Sequence, residues 1–125
     1  MTDDDKLSLA ASYAAATRAG NTDAMAALSE PDAVVWHNFD DLEVDMARTA
    51  TTLQWLHRTA PDVTWDDVAV TPTATGFVWQ ALLHGTGPGG PFRAHTCMVA
   101  TVSPAGRVAR LAEYLDPAAL GPLQG

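Results

Sequence analysis

Five polar side chains stand where the surrounding residues are apolar enough to predict a buried interior: Asn38, His57, His84, His95 and Glu113. Burying such groups costs free energy unless they are hydrogen-bonded or used in chemistry. Loss of hydration raises the pKa of a carboxyl group, so Glu113 could act as a general base or acid near neutral pH. The alternative is a structural carboxylate paired with Arg110 or with a tyrosine at a cavity mouth.

The histidines in this set offer a second proton-transfer group, because imidazole titrates near neutrality. His84 could orient Glu113 or exchange a proton with it, although a solvated histidine is equally ordinary at a strand end. His95 could face a pocket or be a core histidine with one hydrogen bond. His57 could line a pocket or cap the last carbonyls of a helix. None has the spacing of a metal-binding motif, so we predict no metal and no other cofactor.

Helices are predicted mainly in the first half of the chain. The Ala- and Leu-rich segment 5–18 is followed by Gly20, a typical helix stop, and a short second helix follows up to Leu28. A third helix is indicated by an apolar face that runs from Met46 through Leu53 to His57. These three helices would precede most of the sheet.

Strands are predicted from β-branched and aromatic runs between turn-forming residues. The first covers 33–38, and after Pro61 turn clusters separate the strands of an antiparallel meander, of which the last covers 107–115 and leads into a helical turn at 117–120. Helices first and strands later is the order of an α+β domain, with the helices packed on one face of a curved antiparallel sheet.

Alternation along the strands divides their side chains between two faces of the sheet. Both sets are mostly apolar, so helices would cover one face and a second subunit the other, which predicts a homodimer. Against this apolar background, we assign the more polar set of two neighbouring strands to the pocket: Gln80, Leu82, His84, His95 and Cys97.

Composition sets the class of protein. The 125 residues carry 7 Lys and Arg against 15 Asp and Glu, a net charge of −8, and 47% of them are hydrophobic. We expect one acidic globular domain over residues 1–125, which does not bind nucleic acid. No signal peptide or membrane-spanning run is recognised. The single Cys97 favours a reduced, cytoplasmic protein.

The order of elements, the strand Trp36-His37-Asn38 and the ending from Gly106-Arg107-Val108 to Glu113-Tyr114-Leu115-Asp116 resemble the SnoaL-like proteins of the nuclear transport factor 2-like superfamily. That superfamily also holds the ketosteroid isomerases and limonene epoxide hydrolase. The resemblance implies a cone-shaped sheet wrapped by three helices, a hydrophobic pocket at its wide end and usually a dimer.

The pattern of limonene epoxide hydrolase can be laid on the chain without gaps from the first helix to His84 and again from Arg93 to Asp116. The resemblance places its water-holding tyrosine and asparagine on Trp36 and Asn38, and its catalytic aspartate on Glu113. Its arginine and second aspartate fall on Leu82 and His84, so the constellation is broken and epoxide hydrolysis is disfavoured. Its pocket-lining apolar positions fall on His57, His95, Cys97 and Leu115.

Two functions follow as hypotheses. In the first, a cofactor-independent isomerase or cyclase acts on a small lipophilic carbonyl or polyketide-like compound. Glu113 moves a proton, His84 or His95 is its acid partner, and Asn38 donates a hydrogen bond. In the second, the same pocket only binds a lipophilic molecule, because a shared fold does not confer a shared function. Either way, the pocket walls would include Trp36, Gln80, Leu82, Cys97, Leu115, His57 and Leu53. His37 alternates with Asn38 and is expected outside the pocket.

Overall fold

The computed structural model describes every residue from Met1 to Gly125. The helices are α1 (Asp3–Ala19), α2 (Thr22–Ala27) and α3 (Met46–Thr59), and the chain ends in a 3₁₀ helix (Pro117–Gln124). The strands are β1 (Ser29–His37), β2 (Glu43–Asp45), β3 (Thr64–Pro72), β4 (Gly76–Gly87), β5 (Gly90–Val102) and β6 (Val108–Tyr114). The α+β class and the three N-terminal helices are confirmed.

Local capping explains where the helices begin and end. The Thr2 side chain caps α1 in a reciprocal capping box with Asp5, and Gly20 ends the same helix in the left-handed conformation, at φ 65°. Asn21 caps α2 and Asp45 caps α3, each through a side-chain oxygen that accepts a backbone N–H. None of the helices is both long enough and apolar enough to cross a lipid bilayer.

The six strands form one sheet in the order β2-β1-β6-β5-β4-β3. Strands β3 to β6 make the antiparallel meander that the turn clusters predict. The sheet is mixed rather than wholly antiparallel, because β1 pairs with β6 in parallel. The short strand β2, which no sequence pattern marked, pairs with β1 at the edge of the sheet.

The helices cover the inner face of the sheet, which carries the bulkiest apolar side chains. Phe77, Trp79, Ala81 and Leu83 of β4 are at most 4% exposed and join a core cluster with α1. The outer face carries the other alternation set and is partly exposed, with Val99 of β5 38% exposed. The helices thus select the set with the larger apolar area to bury.

Candidate functional site

A cavity of about 260 Å³ lies between the inner face of the sheet and the helices. Most of its lining is apolar, as expected for a small-molecule site, and we define the cavity mouth as the lining residues that are exposed: Phe39, Asp40, Leu42, Arg48 and Thr52. Deeper in the cavity, the apolar walls include Val35, Leu53, Trp65, Met98 and Leu111, and the polar groups include Tyr13, His37 and Glu113.

Glu113 is the acidic group inside this cavity. It lies two residues after the buried Leu111 on β6, so it shares the inner face, and it is paired in register with Met98 and His37. Its side chain is 19% exposed. Burial raises its pKa from 4.5 to about 7, because few polar groups there replace the water that would stabilise the carboxylate. Both protonation states of Glu113 are therefore populated near neutral pH.

His37 is the residue beside Glu113. Its Nε2 atom lies 3.7 Å from Glu113 Oε1, longer than a hydrogen bond and short enough for an ion pair when the imidazole is protonated. Burial lowers the pKa of His37, and the negative charge of Asp40 opposes that effect. Burial thus acts on both groups in the same sense, because it disfavours the charged form of each: it raises the pKa of the acid and lowers the pKa of the imidazole.

Tyr13 supplies a hydrogen-bond donor from α1. Its side chain is 1% exposed, and its hydroxyl has no hydrogen-bond partner in the protein. Burial, with a smaller effect from the charge of Glu113, raises its pKa, so the hydroxyl stays protonated. A buried hydroxyl without a protein partner is rare and suggests a ligand as its acceptor.

Sequence reasoning missed both of these residues. It placed His37 outside the pocket because the resemblance placed Trp36 and Asn38 inside. The signal available was the alternation of His37 with Val35, which is buried. For Tyr13, the signal was its spacing from Leu9 and Ala16 on α1, which places a tyrosine on the buried face of that helix.

The alternation set of β4 and β5 that was predicted to face the pocket is the wrong one. The structure places this set on the outer face of the sheet, away from the cavity: Gln80, Leu82, His84, His95 and Cys97. His84 Nε2 lies 2.8 Å from Asp66 Oδ2 there, and His95 is exposed. Neither histidine lines the cavity that contains Glu113. The physical reason is that the wholly apolar set faces the helices.

Trp36 and Asn38 also lie outside the cavity. The Trp36 ring packs edge-on against Tyr114, with 5.2 Å between ring centroids, and its Nε1–H donates a hydrogen bond to Asp41. Asn38 Oδ1 accepts a hydrogen bond from the Leu115 N–H at 3.0 Å. Asn38 therefore ties the end of β1 to the end of β6, and Leu115 is buried outside the cavity lining.

The two α3 residues of the predicted site differ in position. Leu53 lines the cavity. His57 does not: its Nε2 lies 3.1 Å from the Thr17 carbonyl oxygen, and its ring packs so closely on Gly20 that a Cβ there would come within 2.9 Å of it. His57 thus joins α3 to the end of α1. No three His, Cys, Asp or Glu side chains are close enough together to hold a metal ion.

No protein-family model matches the chain, and no curated protein matches its sequence. Solved structures do match. One is a protein assigned as a SnoaL-like polyketide cyclase from Shewanella denitrificans OS-217, with 16% identity, 95% of this chain and 96% of that chain covered, and a TM-score of 0.80. PrhC from Penicillium brasilianum NBRC 6234 has 13% identity, 98% and 87% coverage and a TM-score of 0.87.

A third match is a hypothetical protein with a ketosteroid isomerase-like fold from Catenulispora acidiphila DSM 44928, solved with trimethylamine. It has 12% identity, 89% and 87% coverage and a TM-score of 0.77. At these identities the matches show the fold, which is the SnoaL-like and ketosteroid isomerase-like fold that the sequence resemblance implies.

The raised pKa of Glu113 makes a prediction about stability. Between pH 4.5 and about 7 the folded state binds the extra proton, so the contribution of this carboxyl to stability is complete below that range and is lost as the pH rises through it. Wild type should therefore lose stability relative to Glu113→Gln as the pH rises. The difference in free energy of unfolding, variant minus wild type, should increase by up to about 3 kcal/mol between about pH 5 and about pH 8. Urea denaturation of both proteins at the two pH values measures this.

The lowered pKa of His37 affects stability with the opposite sign. The stability that neutral His37 contributes is lost as the pH falls below 6.5. It is present in both proteins, so comparing wild type with Glu113→Gln largely removes it. An equal difference between the two proteins at both pH values would contradict a raised pKa for Glu113.

The unpartnered hydroxyl of Tyr13 makes a second prediction. Removing a buried donor that has no acceptor relieves its desolvation cost, so Tyr13→Phe should raise the free energy of unfolding by about 1 kcal/mol. Thermal and urea unfolding of wild type and the variant measure the difference. A loss of stability in Tyr13→Phe would mean that the hydroxyl has a partner in the folded protein.

Proposed function

We propose that this chain, which has the SnoaL-like and ketosteroid isomerase-like fold, is a cofactor-independent acid–base enzyme. It would move a proton next to the carbonyl group of a small lipophilic compound held in the cavity. The observation that carries the proposal is the carboxyl of Glu113, which is buried in an apolar cavity 3.7 Å from His37. Burial raises the pKa of this carboxyl to about 7. A carboxyl in this range is matched to proton transfer at neutral pH.

The chemistry begins with the ionised form of Glu113. Its carboxylate takes a proton from the carbon next to the carbonyl, and the electron pair of the broken C–H bond moves onto the carbonyl oxygen to give an enolate. The Tyr13 hydroxyl, which has no protein partner, donates a hydrogen bond to that oxygen. Such a donor stabilises the charge that develops in the transition state.

The second half of the reaction returns the proton. Where the substrate has a carbon–carbon double bond conjugated with the enolate, protonated Glu113 can give the proton to the far carbon of this dienolate, which moves the double bond and is an isomerisation. Alternatively, the enolate carbon attacks a second carbonyl of the same molecule and Glu113 protonates the new alkoxide, which is a ring closure. Both outcomes balance without a cofactor. The name of a structural neighbour, a SnoaL-like polyketide cyclase, supports a polyketide-like substrate.

His37 takes the place that the sequence hypothesis gave to His84 or His95. Protonated His37 stabilises the carboxylate form of Glu113 across 3.7 Å, and neutral His37 favours the protonated form. The imidazole therefore adjusts the proton affinity of the base. Asp40 lies at the cavity mouth, where it is exposed to solvent. Its negative charge raises the pKa of His37 and so acts on the pair.

The proposal is tested by hydrogen–deuterium exchange, which needs no knowledge of the natural substrate. A panel of cyclic ketones is incubated with the protein in D₂O, and deuterium uptake next to the carbonyl is followed by mass spectrometry. We expect wild type to accelerate the uptake for ketones that fit the cavity, and Glu113→Gln to lose at least about a hundredfold of that acceleration. The matched control is Glu43→Gln, because Glu43 is an exposed glutamate that pairs with Arg110.

Two results would contradict catalysis by Glu113. One is exchange that persists in Glu113→Gln. The other is tight binding of ketones without any exchange, and with equal affinity for Glu113→Gln and wild type. The second result would favour the alternative function, a non-catalytic protein that binds a small lipophilic molecule in the same cavity.

We also propose that the protein is a homodimer that buries the outer face of the sheet. Its centre combines the exposed Val99 and Tyr114 with the partly buried Val78 and Leu82, an apolar patch that a second copy would cover. The free thiol of Cys97 on the same face is in keeping with a reducing compartment such as the cytoplasm.

Val99→Glu should convert this dimer to a monomer, because two carboxylates would be desolvated across the symmetric interface. Sedimentation equilibrium measures the mass. Ala105→Glu, at an exposed position in the turn before β6, is the control and should remain dimeric. A monomeric wild type, or a Val99→Glu variant with unchanged mass, would contradict the interface.

A further inference from the structure

We infer that the ligand of the cavity carries an anionic group, a carboxylate or a phosphate ester, that Arg48 binds at the cavity mouth. The inference rests on the proposed function only in placing the ligand in that cavity. It adds the chemical class of the ligand, an amphipathic organic acid whose apolar body lies deeper in the cavity.

The charges that line the cavity are few. Apart from Tyr13, which stays neutral, four of the lining residues have titratable side chains: His37, Asp40, Arg48 and Glu113. Arg48 is the one that stays cationic at every pH that a folded protein experiences. It is exposed and lies at the mouth, whereas Glu113 and His37 lie deeper. A ligand that enters the cavity through this mouth therefore comes within reach of the Arg48 side chain.

The donors of the Arg48 guanidinium are not used within the protein. Arg48 forms hydrogen bonds through its backbone alone. Its backbone N–H donates to Asp45 Oδ1 at 2.8 Å, and its carbonyl accepts from the Thr52 hydroxyl. Arg48 is absent from all four ion pairs of the structure. Asp40, the acidic residue at the mouth, accepts instead from the Leu42 N–H at 3.0 Å. The planar fork of Arg48 is thus free to bind two anionic oxygens at once.

The position of Arg48 on α3 makes a structural role a poor explanation. Arg48 is the third residue of the helix, whose first turn holds no acidic residue. The helix dipole disfavours a cation at this end and favours one at the other, where Arg58 stands in the last turn. Arg58 thus has a stabilising role that Arg48 lacks.

The charge of the whole chain strengthens the argument. With a net charge of −8, most of the surface repels anions. At the mouth, Arg48 is the group whose charge attracts an anion, because Asp40 and the α3 cap Asp45 are both acidic. The unpartnered Tyr13 hydroxyl lines the deeper part of the same cavity. The ligand is therefore expected to extend from the mouth into that part. One molecule with an anionic end and an apolar, carbonyl-bearing body would satisfy both groups.

The test uses ligands of one chain length that differ in their head group: octanoate, octyl phosphate and octan-1-ol. Their dissociation constants are measured by calorimetry with wild type, Arg48→Gln and the matched control Arg58→Gln. We expect Arg48→Gln to weaken at least one of the two anions about tenfold or more and to leave octan-1-ol unchanged. Arg58→Gln should change none of the three. The anion that binds wild type more tightly identifies the head group.

Three results would overturn the inference: anions that bind Arg48→Gln as tightly as wild type, an equal loss for the alcohol and the anions, or no binding of any of the three to wild type. Circular dichroism of each variant shows whether it is folded. Failure of the proposed catalysis is recognised separately, because it appears as exchange activity that survives in Glu113→Gln while the Arg48 result stands.

Discussion

The cost of burying the Glu113 carboxyl is the constraint on which the rest of the site depends. Glu113 lies on β6, which is hydrogen-bonded to β1 on one side and to β5 on the other, so the register fixes His37 and Met98 as its neighbours. No arginine or lysine forms an ion pair with it, and its one partner is a half-buried histidine. The desolvation of both groups is left largely uncompensated, which favours the neutral form of each and holds the pKa of Glu113 at about 7.

On the side of the sheet away from β1, side-chain contacts anchor α1 to β3 and β4. Arg18 of α1 donates a hydrogen bond to the Trp65 carbonyl and pairs with Asp67. Asp67 also accepts from the Trp79 indole N–H at 2.7 Å. This network fixes α1 on β3 and β4. The same helix carries Tyr13 over the cavity, so a well-anchored element positions the hydroxyl that has no partner.

The sequence predicts the features that depend on neighbouring residues. The end of α1 follows from Gly20, and the meander follows from its turn clusters, because caps and turns are local interactions. The parallel pairing of β1 with β6 joins distant segments and leaves no local signal. The three-residue strand β2 is too short to show a pattern.

The candidate site is predicted less well, for a physical reason. Glu113 is identified because a carboxylate on an apolar strand is conspicuous. Its partners are missed because alternation separates two faces without saying which one the helices cover, and both faces of β4 are mostly apolar. The deciding quantity is the apolar area that each set buries. Phe77 and Trp79 give the inner set of β4 the larger area, which places His84 on the outer face.

The most direct test of this account is the pKa of Glu113 itself. Protein labelled with ¹³C at glutamate side-chain carboxyls can be titrated by NMR, with Glu113→Gln used to assign the resonance. We expect a midpoint of about 7 for Glu113, well separated from the exposed glutamates. A midpoint near 4.5, the ordinary value for glutamate, would show a solvated carboxylate and would contradict an acid–base role in the cavity.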